Sequence, residues 1–278
     1  MSRRGLRAGP GSVVKHVFLV AVCLVSLYPI WFIVQTSLKT DPQYQQDPLG
    51  LPVPPTGQSF VQLIESMPVL TWLTNSIVVS VAASIATTAI ALLASYAVVF
   101  ARFPGRSLFA NGNLALMVVP PVTLLTPLFI LMVDIGLINR LPSVIVIYVG
   151  LFLPFSVFFL TNFLRSIPLE LIEAAKMDGL GPLSTLTRIV TPLSGPALFT
   201  LVLVNLIYSW NELLIALVFL QQGDARTLMA GLATFQGRYL AQQPLVMAGA
   251  FISVIPIVLL YIFGQRFFVR GLTAGIGK

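Results

Sequence analysis

Six stretches of this chain are apolar for the length that a bilayer demands, and polar pieces separate them. A helical span needs about 20 mostly apolar residues. By that rule the spans fall at about residues 14–37, 72–100, 114–133, 143–164, 197–220 and 246–268. Each run is uniformly apolar and does not alternate with period two, so the pattern predicts helices and not a barrel. Pro29, Pro120, Pro121, Pro127, Pro154 and Pro256 lie inside or beside these runs. In a soluble helix they would be breakers. In a bundle the freed carbonyls find neighbours, so the expected outcome is kinked spans.

The polar piece between the fourth and fifth runs has a helical pattern of its own. Ser166 or Ile167 can open a helix, with Pro168 in the first turn where its missing N–H costs nothing. Glu170 and Glu173 then lie toward the positive end of the helix dipole. Gly179 fits the left-handed position that ends a helix. Gly181-Pro182 forces a second turn, and Leu183, Leu186 and Val190 recur at i, i+3 and i+7, predicting a second short amphipathic helix. The reading is a helix–turn–helix shelf at the membrane surface. Ala174 and Ala175 carry so little bulk that another backbone can approach.

Composition agrees with a membrane solvent. Of the 278 residues, 57% are hydrophobic and 9% charged, against roughly a quarter charged in an average soluble domain. The single cysteine, Cys23, excludes an intramolecular disulfide, and the single histidine, His16, argues against a histidine metal site. The net charge of +7 does not read as nucleic-acid binding, because the cations are scattered between apolar runs. They do set an orientation. An even number of spans puts both termini on one side. Arg3, Arg4, Arg7, Lys15, Arg102, Arg106, Arg165, Lys176, Arg188, Arg266, Arg270 and Lys278 gather there, against Lys39, Arg140, Arg226 and Arg238 opposite, twelve to four. Both termini and the shelf are therefore expected in the cytoplasm. The basic leader is followed by an apolar run too long for a signal peptide, and is expected to remain as the first span.

The outer pieces are less regular. Residues 38–71 hold Pro42, Pro48, Pro52, Pro54 and Pro55 and are expected to be extended or turn-rich, with a short surface helix near 60–67. Residues 221–245 are polar, with Gly223, Gly231 and Gly237. Within the fifth run Asn205, Tyr208, Ser209 and Glu212 fall at i, i+3, i+4 and i+7, one polar stripe that Trp210 and Asn211 adjoin. Glu212 is the one carboxylate well inside a run, and a carboxylate in lipid faces a cavity or a bundle interior. Lining a pore or gate and pairing helices stand equally as its role. Ser76, Ser80, Ser84 and Thr88 recur every four residues along the second run and point to close helix packing, with a hydroxyl ladder for solute as the lesser reading. Asn75 is expected to cap the outer end of that run. The tail has Leu272 where a phosphate loop needs glycine, so no nucleotide site is expected in this chain.

Glu173-Ala174-Ala175, Gly179 and Ile189-x-x-Pro192, with three and nine residues between them, resemble the signature loop of the membrane subunits of bacterial ABC importers. Thr191 stands where that signature has leucine. Ser209-Trp210-Asn211-Glu212-Leu213 resembles the fifth span of carbohydrate importer permeases of the maltose type, and Gln265–Gly275 resembles their tail. The resemblance implies an all-α membrane protein of type I (MetI-like) importer architecture, with a leader at 1–13, a permease domain at 14–270, a coupling loop at 165–192 and a tail at 271–278. It implies that Glu173, Ala174, Ala175, Asp178, Gly179, Leu183, Ile189 and Pro192 meet an ATP-hydrolysing subunit. It implies a second, different permease, two ATP-binding subunits that hold ATP and magnesium, and an external solute-binding protein that delivers a carbohydrate. The external loop near 231–237 would either reach that binding protein, as the equivalent loop does in this family, or serve as an ordinary linker. A permease for a non-sugar solute such as glycerol phosphate is the alternative. An ion-coupled carrier fits less well, lacking a repeat or several ionisable residues in its spans. An intramembrane enzyme lacks a nucleophile and base.

Overall fold

The computed structural model describes residues 10–238 and 242–274. The expectations for residues 1–9, 239–241 and 275–278 lie outside them. Every regular element among the described residues is helical. In chain order these are α1 (Pro10–Ser37), α2 (Asp41–Gln46), α3 (Gln58–Ser66), α4 (Val69–Phe100), α5 (Arg106–Leu116), α6 (Leu125–Asp134), α7 (Leu141–Leu164), α8 (Leu169–Met177), α9 (Pro182–Thr185), α10 (Thr191–Leu193), α11 (Gly195–Asn211), α12 (Leu214–Phe219), α13 (Leu228–Arg238) and α14 (Gln243–Ala274).

Four of the six expected spans are continuous apolar helices: Val14–Ser37, Val69–Phe100, Leu141–Leu164 and Gln243–Ile262. The other two are broken. Between α5 and α6 the chain turns by 98°. Pro120 and Pro121 are adjacent there, neither has an N–H to continue a helix, and residues Pro121–Leu124 wind into a short 3-10 turn instead. At 10 residues α6 is about 15 Å long, half of a bilayer core. The fifth run is also split. Just before that run, the shelf segment Pro182–Leu193 meets Gly195–Asn211 at 79°, next to Gly195-Pro196. Beyond Asn211 the backbone of Glu212 is extended (φ −70°, ψ 121°), and the helix resumes only at Leu214.

The chain divides into two compact units, Met1–Met67 with Thr234–Val254, and Pro68–Ala233 with Ile255–Lys278. In the first, the proline-rich segment is more ordered than its composition suggests. Thr40 and Gln43 form a reciprocal capping box at the start of α2. Lys39 is buried, and its Nζ donates to the carbonyls of Asp47 at 2.8 Å and Pro48 at 3.1 Å. Gln43 Nε2 donates to the carbonyls of Val53 and Pro54. The expected surface helix is present as α3, whose Phe60 ring meets Phe251 edge-on at 5.8 Å.

In the second unit α4 makes its most extensive contacts with α7 and then with α11. Ser76, Ser80, Ser84 and Thr88 are all buried along α4. Ser84 Oγ donates to the Ser80 carbonyl, and Ser76 Oγ accepts the Leu228 N–H. Small side chains at these positions let helices approach closely, the packing reading of the pattern. Asn75 does not cap α4, which begins six residues earlier at Val69. Its Nδ2 instead donates to the carbonyls of Asp224 and Arg226, tying a loop to the helix.

Candidate functional site

The shelf is built as two short helices around one glycine. Helix α8 starts at Leu169 with Pro168 one position before it, so the proline stands just outside the first turn and not within it. Gly179 has φ +78°, the left-handed conformation its position demanded. Its N–H donates to the Lys176 carbonyl at 3.0 Å, and the Leu180 N–H to the Ala175 carbonyl at 3.0 Å. That pair of bonds is a Schellman closure, which satisfies the last carbonyls of α8. Gly181 then caps α9, with Pro182 in its first position.

The second half of the shelf departs from the expected simple helix. Residues Leu186–Val190 form a π turn, and the chain returns to α-helix at Thr191. The wider turn shifts every later side chain around the axis. Leu183, in the turn before it, is 69% exposed, while Leu186 and Val190 are buried. The expected i, i+3, i+7 face therefore holds for two of its three residues. Thr191 has a part in this geometry. Its Oγ1 donates at 2.8 Å to the Leu186 carbonyl, which also accepts the Thr191 N–H. The threonine thus doubles the bond that closes the π turn.

What holds the shelf to the spans is a small apolar core of Leu164, Ile172, Leu186 and Val190, against which Leu92, Tyr96, Val99 and Phe100 of α4 pack. Burying a side chain of this size stabilises by about 1.5–3 kcal/mol. Ala175 points into the same protein interior and is buried, whereas Ala174 is exposed. Of the two alanines one serves internal packing and one is left on the surface. Around Ala174 the exposed side chains are Glu170, Glu173, Met177 and Asp178, with Leu183 and Pro192 beyond. Ile189 is half-buried. This face is acidic and apolar together, and Met177 at 88% exposed is its most prominent apolar group.

The second candidate group separates. Asn205, Ser209 and Trp210 are buried; Tyr208 and Asn211 are exposed; Glu212 is half-buried. They do not form one stripe, because the helix ends at Asn211 and Glu212 lies in the break. Asn205 Nδ2 donates to Ser156 Oγ of α7 at 3.1 Å, an interhelical pair. Asn211 Nδ2 returns to the Ile207 carbonyl of its own helix. The Glu212 carboxylate accepts the Tyr148 hydroxyl at 2.7 Å, the Ile215 N–H at 3.0 Å and the Ala216 N–H at 3.2 Å. It caps α12 and ties the break to α7. Nothing in the local pattern marks Tyr148 or Ser156 as partners, since each lies about 50 residues or more away along the chain. Their place as polar side chains within the apolar fourth run is the one hint the sequence holds. Tyr148 stacks on Phe152 at 5.4 Å, and Phe152 lies 6.3 Å from the exposed Tyr208.

Comparison with known proteins covers both groups. Residues 104–274 match the model of the family described as binding-protein-dependent transport system inner membrane component. A putative ABC transporter permease protein of Caldicellulosiruptor sp. is 37% identical over 94% of this chain and 95% of its own length. The trehalose/maltose transport system permease protein of Thermococcus litoralis is 34% identical over 96% of this chain and 98% of its own. Among solved structures, a bacterial ABC transporter involved in the import of the acidic polysaccharide alginate has a chain that superposes with a TM-score of 0.80 at 24% identity, covering 96% of this chain and all of that one. That likeness carries the fold alone. With four continuous apolar helices and two bent pairs among its described residues, and a family match over more than half its length, this multi-pass membrane protein belongs to the binding-protein-dependent transport system inner membrane components.

Proposed function

We propose that this chain is one of two different permease subunits of an ATP-driven importer in the plasma membrane, moving a carbohydrate by alternating access. The observation that carries this is the shelf: a rigid knuckle, closed at Gly179, anchored to α4 and α7 through Ile172, Leu186 and Val190, and presenting Glu173, Ala174, Met177 and Leu183 outward. A knuckle fixed to the spans on one face and open on the other is suited to carry displacement from a partner into the membrane. Two ATP-binding subunits, which bind ATP and magnesium, would supply that displacement on the basic side. An external binding protein would deliver the solute on the other. The similar trehalose/maltose permease supports a sugar over other solutes. For contact with solute along the path, Tyr208 and Asn211 are the exposed members of the second group.

Purification of the chain with the products of neighbouring genes, followed by reconstitution in vesicles, tests the reading. ATP-dependent uptake of a sugar that requires a copurifying ATPase is expected. Uptake by this chain alone, driven by an ion gradient, would overturn it. In the assembled complex Gly179→Val forces a β-branched residue to φ +78°, at about 1–3 kcal/mol. No atom lies within 4 Å of the added Cβ, so the effect is one of backbone and not of crowding. ATP hydrolysis uncoupled from uptake, or a complex that loses its ATPase, is the expected outcome. Gly179→Asn should be milder, because asparagine tolerates this conformation better.

A further inference from the structure

A cavity of about 650 Å³ opens between the end of α4, the start of α5 and the shelf helices α8 and α9. Its lining is divided by chemistry. Tyr96, Val99 and Phe100, the last turn of a membrane span, form an apolar wall together with Leu169. Arg102, Arg106 and Lys176 supply three cations against the single carboxylate of Glu173. Helix α5 begins at Arg106, and no side chain caps it, so its first-turn N–H groups add positive potential at the same rim. The cavity sits at the level where α4 ends, which is headgroup depth for a helix that crosses the bilayer.

We infer that this cavity binds the phosphate headgroup of an anionic phospholipid. The shared chemistry is a phosphate held by two guanidinium groups and an ammonium, and arginine pairs with phosphate through two parallel bonds. A free phosphate would use the cations and leave the apolar wall idle. A lipid uses both, its phosphate on Arg102, Arg106 and Lys176 and its chains along Tyr96, Val99 and Phe100. Basic pockets between helices at a membrane surface bind acidic headgroups by this arrangement. The consequence is mechanical: such a lipid would bridge the α4–α5 link and the shelf. The inference rests on the membrane assignment and is independent of which solute is carried.

The test is native mass spectrometry of the full chain in detergent, titrated with phosphatidylglycerol or phosphatidylcholine. Preferential retention of phosphatidylglycerol is expected. Arg102→Gln with Lys176→Gln, both exposed and therefore compatible with folding, should weaken it about twenty-fivefold, the product of a roughly fivefold loss per cation. Arg188→Gln removes an exposed cation of the same shelf that does not line the cavity, and should leave retention unchanged. Arg106→Gln gives a second variant of the site itself, with the same expected direction. Equal retention of phosphatidylcholine, an Arg188→Gln effect as large as that of the double variant, or displacement of the lipid by inorganic phosphate would overturn the proposal, the last result assigning the cavity to a soluble anion.

Discussion

Glu212 is the residue whose chemistry the linear sequence exposed most clearly and whose neighbours it concealed. A carboxylate within an apolar run had to be satisfied by something, because an unpaired charge at membrane depth is costly. The something is a tyrosine hydroxyl of α7 and two backbone N–H groups of α12. Three donors occupy most of what a carboxylate can accept. That favours the pairing role over the gate role for Glu212, while Tyr208 and Asn211 are the exposed polar members of the group. Removing the Tyr148 hydroxyl by Tyr148→Phe takes away one interhelical bond and should cost about 1 kcal/mol. Glu212→Ala also removes the cap of α12 and strands the buried Tyr148 hydroxyl, so its cost should be about 2–3 kcal/mol. Glu212→Gln, which keeps an acceptor oxygen, should fall between them. Melting of the purified chain in one detergent ranks the three. A Glu212→Ala protein as stable as Tyr148→Phe would remove the capping role. By contrast Gly179 was fully legible, since one conformation at one position explains it, and no distant partner is involved.

Helices were legible where apolarity alone decides and illegible where a bend does. Apolar length identifies what lipid will accept but says nothing about straightness. The 98° turn at Pro120-Pro121 had a local cause that the sequence displayed, and its size exceeded a kink because two N–H groups are lost in succession. The break at Glu212 has neither glycine nor proline beside it, and only the capping bonds explain it. The π turn at 186–190 is equally silent in the pattern, although the Thr191 hydroxyl that closes it stands at the one position where this chain departs from the signature. Element contacts also turn on two glycines that periodicity cannot reveal. A Cβ on Gly231 of α13 would lie 2.3 Å from the Trp72 ring of α4. Trp72 is buried and its Nε1 donates to the Gly223 carbonyl at 2.7 Å, so the ring cannot retreat without losing that bond. On Gly264 of α14 the added Cβ would lie 2.9 Å from a terminal methyl of Leu203, which can rotate away. Gly231→Ala should therefore cost about 1–3 kcal/mol and Gly264→Ala clearly less. Thermal unfolding of both variants checks the order. Equal costs would mean that the Trp72 ring is free to move.

At the scale of the whole molecule the distribution of charge makes the strongest claim, because it assigns a side to every loop at once. Twelve of the sixteen lysines and arginines fall on one side in the six-crossing reading, and the shelf lies there. That reading survives the bends only if 106–134 and 195–219 each make one crossing, with Pro182–Leu193 left at the surface as part of the shelf. Were the pair 106–134 a re-entrant element instead, every later loop would change sides, and Glu173 would no longer share a side with the leader. Cysteine labelling decides the matter. The native Cys23 is exposed on the apolar surface of α1, and Cys23→Ser provides a silent background. Met177→Cys places a thiol at the most exposed apolar position of the shelf, and Gln46→Cys places one at the exposed end of α2. On intact cells a membrane-impermeant maleimide should modify Gln46→Cys and spare Met177→Cys; in inverted vesicles the pattern should reverse. Labelling of both positions from outside would mean that an odd number of crossings separates the expected sides from the real ones. The shelf could then not meet an ATP-hydrolysing partner in the cytoplasm, whatever its local geometry.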